Sequence, residues 1–150
     1  MHDKHYLLAI TLTMLLACST HMISIDYDTY MQNQASYKNE DIIITAEIGQ
    51  VLDNYEVFEG KRIETHALIS HFEERDSMVW HLILEKEGKK LRAYEDDFLG
   101  FVPPDAVYLA RWAKNEGGYV TARGKLFKGG MELDQLTYKS LIVNTSAIPT

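Results

Sequence analysis

Few side chains in this chain are equipped for covalent or metal chemistry. There is one cysteine, Cys18, and it directly follows the apolar run Tyr6-Leu7-Leu8-Ala9-Ile10-Thr11-Leu12-Thr13-Met14-Leu15-Leu16-Ala17. A thiolate is a strong nucleophile, so Cys18 is the first candidate for a covalent modification. The run before it is too short to span a bilayer, which takes roughly 20 apolar residues. Metal ligation would fall to histidines such as His21, His66, His71 and His81. None of these shows a recognisable ligand spacing, and His66 and His71 have opposite parity on one strand, hence opposite faces unless a bulge intervenes. No metal site is expected. The acidic runs Glu73-Glu74 and Glu95-Asp96-Asp97 lack a calcium-loop pattern and read as solvated loop ends. There is no Gly-x-Ser-x-Gly elbow and no phosphate loop, and nothing fixes two carboxylates at working distance. The expectation is a protein that is not an enzyme and uses no cofactor.

The four residues Leu15-Leu16-Ala17-Cys18 resemble the processing site of a bacterial lipoprotein, with residues 1–17 as its signal peptide. The resemblance implies a diacylglyceryl thioether on Cys18 and a third acyl chain, such as palmitate, on the new amino terminus. Several chains together give stable attachment to a membrane where one is marginal. The residue after the cysteine is Ser19 rather than aspartate, which by the same resemblance implies the outer membrane, with the domain facing the periplasm.

Removing 17 residues from 150 leaves enough chain for one domain. With Cys18 acylated, no thiol remains for a disulfide or a thiolate metal site. The net charge of −7 is unchanged by processing, because Asp3 and Lys4 depart together. That charge opposes a phosphate backbone and anionic headgroups, so nucleic acid is not expected as a partner.

Residues 18–40 are polar and read as the acylated cysteine and a flexible tether, although Tyr27, Tyr30 and Tyr37 are more aromatics than a spacer needs. From Asp41 the spacing of Ile44, Ile48, Val51, Leu52 and Tyr55 predicts an amphipathic helix over about 42–56, against a strand reading favoured by the β-branched Ile42-Ile43-Ile44-Thr45. Residues 59–143 then read as three strands, a helix and two strands. Gly88 marks a hairpin, Pro103-Pro104 opens the helix, and Gly117-Gly118 ends it. Residues 144–150 read as a C-terminal tail, with 41–143 as the domain.

Five strands with a helix between the third and fourth is the element order of an OB-fold, a Greek-key barrel. Residues 42–138 resemble the OB-fold domains of the tRNA-anti-like group found in bacterial envelope proteins. The matching features are Thr45-Ala46-Glu47, Gly60-Lys61-Arg62-Ile63, Val120-Thr121-Ala122-Arg123-Gly124-Lys125 and Glu132-Leu133. The fold expected is therefore mainly β: a five-stranded barrel with a preceding N-terminal helix, in which Gly60 and Gly124 relieve crowding where strands bend. Such barrels bind on the face of their second and third strands. With Leu82, Leu84, Leu91, Ala93 and Val120 inward, alternation turns His81, Arg92, Tyr94, Tyr119 and Arg123 outward as the candidate binding surface. Aromatics beside arginines suit stacking. The expected role is a lipid-anchored, non-catalytic envelope module that binds a protein partner. The alternative is recognition of an oligosaccharide or cell-wall glycan on the barrel face.

Overall fold

A computed structural model describes residues 22–75, 79–96 and 104–145. Residues 1–17, expected to be a signal peptide, lie outside them, as do Cys18, Ser19, Pro103 and residues 146–150 of the expected tail. Two short strands open the fold, β1 (Ile23–Asp26) and β2 (Ile42–Thr45), paired in parallel. Ile42, Ile43 and Ile44 are all buried. A run of β-branched residues hidden on both faces is what a parallel strand requires, so the strand reading of this stretch prevails over the helix. The helical spacing that suggested otherwise included Leu52, which is exposed. Helix begins only at α2 (Ile48–Asp53), where Glu47 and Gln50 form a reciprocal capping box.

The stretch expected to be a tether is folded from residue 23 onward. Between β1 and β2 lie α1 (Tyr27–Gln32), capped by the Asp26 side chain on the Thr29 N–H, and a 3₁₀ turn at Gln34–Tyr37. Parallel strands need a crossover of about a dozen residues or more, and this segment supplies one. Tyr30 is buried, with ring centroids 5.8 Å from Phe58 and 6.2 Å from Tyr37, and Tyr27 lies 5.9 Å from Phe58. The surplus aromatics are thus core. A second crossover, through α2 and α3 (Tyr55–Phe58), sets β2 parallel to the start of β3 (Arg62–Arg75).

Five strands form a closed ring: β3, β4 (Val79–Lys86), β5 (Lys89–Asp96), β7 (Gly130–Tyr138) and β6 (Tyr119–Phe127), with β6 pairing back to β3. The long β3 makes this possible, pairing β6 through its first half and β4 through its second. A bulge interrupts the β4-paired half, between Ile69 and His71. The inward set is as expected: Ile63, Ala67, Leu82, Leu84, Leu91, Ala93, Val120, Ala122 and Leu126 are buried. The β4–β5 hairpin turns through Glu87 and Gly88, both at positive φ, the geometry that matches strand twist. Between β5 and β6 comes α4 (Pro104–Glu116), which buries Ala106, Leu109, Ala110 and Ala113 and leaves Trp112 exposed. This is a mainly β, OB-like arrangement on a mixed sheet.

Like β1, the last strand is one that residue types did not announce. Residues 141–144 form β8, joined to β7 by Lys139 and Ser140, both at positive φ. Neither residue is the glycine, asparagine or aspartate that usually announces such a turn. The domain therefore extends at least to Thr145, whose N–H donates to the Asp134 carbonyl at 2.8 Å.

Candidate functional site

The five candidate surface residues fall into two patches on either side of β3. On the β4–β5 side, His81 lies directly across from Tyr94, and the Arg92 guanidinium sits 5.5 Å from the Tyr94 ring centre. His81 has the parity that points away from Leu82 and Leu84, yet it is only 8% exposed, so it is not the open surface position expected. On the β6 side, Tyr119 is 46% exposed and stacks on His66 at 5.2 Å. His66 Nδ1 lies 3.3 Å from Thr121 Oγ1. Arg123 is half-buried and bound through Nη2 and Nε to Glu64 Oε2, at 2.7 and 3.0 Å, across the β3–β6 ladder. Its guanidinium is committed to the barrel wall.

The bulge at Ser70 changes the histidine geometry. With one extra residue in β3, His66 and His71 both lie exposed on the outer side, where simple parity had separated them. Glu73, two residues after His71, shares that side and lies opposite His81. Glu73 Oε2 is 3.5 Å from His71 Nε2 and 3.4 Å from His81 Nε2. The structure thus gathers three ligand-type side chains where none was expected. Sequence counting missed them because a bulge leaves no mark in residue types.

A different surface feature lies between α4 and β8. Tyr108, Leu109, Trp112, Leu141, Ile142 and Val143 line a groove. Four of these stand out to solvent: Tyr108 at 66%, Ile142 at 63%, Leu141 at 53% and Trp112 at 40%. Trp112 packs edge-on against Tyr138 at 5.0 Å, and Lys139 lies 5.4 Å over its ring. Among the described residues β8 pairs only with β7. The bonded positions on β8 are those opposite Tyr138, Leu136 and Asp134, as the Thr145 bond indicates. In an antiparallel ladder the residues between them, Ile142 and Asn144, turn their N–H and C=O groups outward. The signal available in the sequence was the apolar run Leu141-Ile142-Val143.

Comparison with known proteins adds similarity at low identity. No family model matches the chain, and no curated protein does. Among solved structures, asparaginyl-tRNA synthetase of Entamoeba histolytica in complex with asparaginyl-adenylate aligns with 71% of this chain at 12% identity and a TM-score of 0.49. A putative aspartyl-tRNA synthetase from Leishmania major Friedlin aligns with 69% at 13% identity and a TM-score of 0.41. TiaS in complex with a tRNA and ATP aligns with 69% at 9% identity and a TM-score of 0.39. The aligned part is 25%, 21% and 22% of those chains respectively, so this chain corresponds to about a quarter of their length.

Proposed function

We propose that the chain is a non-catalytic envelope module: a five-stranded Greek-key OB barrel, anchored through lipid on Cys18 at the periplasmic face of the outer membrane, that binds a protein partner. The observation that carries this reading is the apolar groove between α4 and β8. A patch with Trp112, Tyr108 and Ile142 exposed beside an open strand edge is a protein-binding surface in type. The occupant that fits is an extended segment of another protein. It would add a strand to the outward groups of Ile142 and Asn144 while its side chains fill the groove. Charge supports protein over nucleic acid, since the chain carries −7 and Arg62 and Arg123 are held by Asp134 and Glu64.

The test is co-purification from detergent-solubilised membranes, combined with amide exchange on the recovered complex. Ile142→Lys should abolish capture without changing the melting temperature, and slowed exchange at Ile142 and Asn144 should accompany the wild-type complex. Capture unaffected by Ile142→Lys but lost on Tyr94→Ala plus Arg123→Ala would return the site to the barrel face. The glycan reading draws on the Arg92–Tyr94 pair, whose flat cation and ring lie side by side on β5. Binding of the wild-type protein to a glycan array, lost on Arg92→Ala, would favour it.

A further inference from the structure

The cluster His71, Glu73 and His81 gathers three side chains of ligand type on the outer side of the sheet. Both imidazole Nε2 atoms address the same oxygen, Glu73 Oε2, at 3.5 and 3.4 Å. Ligands held about 2.0–2.1 Å from one tetrahedral zinc ion lie about 3.3–3.4 Å from one another. All three candidate ligand atoms fall within 4.8 Å of one another, and the two rings are 6.0 Å apart at 38°.

Each position follows from the sheet. The bulge brings His71 to the outer side of β3, Glu73 follows on the same side at the strand period of two, and His81 is the cross-strand partner of Glu73. Two imidazoles and one carboxylate suit a borderline divalent ion and disfavour calcium or magnesium, which take oxygen ligands. The net charge of −7 over the whole chain favours cations in general. We infer that His71 Nε2, His81 Nε2 and Glu73 Oε2 form a binding site for one Zn²⁺, with a fourth position left to water or to a side chain of a partner. This site is independent of the α4–β8 groove and of the anchor.

The full chain, stripped with chelator and dialysed, is titrated with ZnCl₂ by calorimetry and with CoCl₂ while its visible spectrum is followed. One Zn²⁺ per chain and a tetrahedral-type Co²⁺ spectrum are expected. Removing only the groups that orient a metal's ligands costs about 10–100-fold in affinity, so loss of a ligand itself, in His71→Ala or Glu73→Ala, should weaken Zn²⁺ by about 100-fold or more. His66→Ala and Cys18→Ser should leave affinity unchanged. The His71 and Glu73 side chains are 55% and 46% exposed, so both variants should keep the wild-type circular dichroism and metal-free melting temperature. Absence of Zn²⁺ binding, binding undiminished in these folded variants, or a preference for CaCl₂ over ZnCl₂ would each overturn the site.

Discussion

Glu116 ties the end of α4 to the β7–β8 turn, accepting from the Tyr138 hydroxyl at 2.6 Å and from Lys139 Nζ. The Tyr138 hydrogen bond, then that of Lys139, holds its carboxyl below the ordinary value of 4.5. A depressed carboxylate stabilises the fold in full above that ordinary value and loses its contribution as pH falls through the lower folded value. The melting-temperature gap between wild type and Glu116→Gln should therefore be level through neutral pH and shrink on acidification below pH 4.5. A gap that widened there would show that Glu116 acts otherwise. Gly124 makes a different kind of demand. A Cβ at this position would lie 2.7 Å from Met131 Cγ and run into the Glu132 backbone carbonyl across the ladder. Gly124→Ala should cost roughly 2–3 kcal/mol, read from the urea midpoint, because backbone cannot step aside as a side chain can. Crowding was the role expected of both Gly60 and Gly124. At Gly60 nothing lies within 4 Å, and what requires glycine is a φ of +82°.

Strands that alternate over eight or nine residues were readable, because Leu82 and Leu84, or Val120 through Leu126, repeat at a period that nothing else mimics. Residues 23–40 were not, since β1 and α1 are too short to show any period and bury only Ile25 and Tyr30 fully. Their stability comes from tertiary contact, chiefly the aromatic cluster around Phe58. Tyr30→Ala should accordingly destabilise the whole domain by about 3 kcal/mol, with an unchanged urea m-value. A tether residue would cost nothing. The candidate site was legible in part. Arg92 and Tyr94 do sit together on β5, whereas the companions of Arg123 and His81 depended on cross-strand register, which residue types do not encode. The Lys139–Ser140 turn hid β8, and with it half of the apolar groove.

At the level of the whole molecule, the proposed anchor at Cys18 would stand closer to the barrel than a polar spacer over residues 19–40 suggests. Cys18→Ser should end palmitate incorporation and move the protein from membrane to soluble fractions; a variant that stays with the membrane would rule out lipid on that sulfur. With lipid in place, the span from Cys18 to β1 is the four residues 19–22. The five steps from Cys18 to Ile23 reach about 17 Å when fully stretched. The barrel would then ride against the headgroups on a short leash rather than sweep through the periplasm, its exposed Met22 and Ile23 lowermost. Confinement of that kind turns the search for a co-anchored partner into a lateral one within the plane of the bilayer, where a modest intrinsic affinity is enough to hold a complex together.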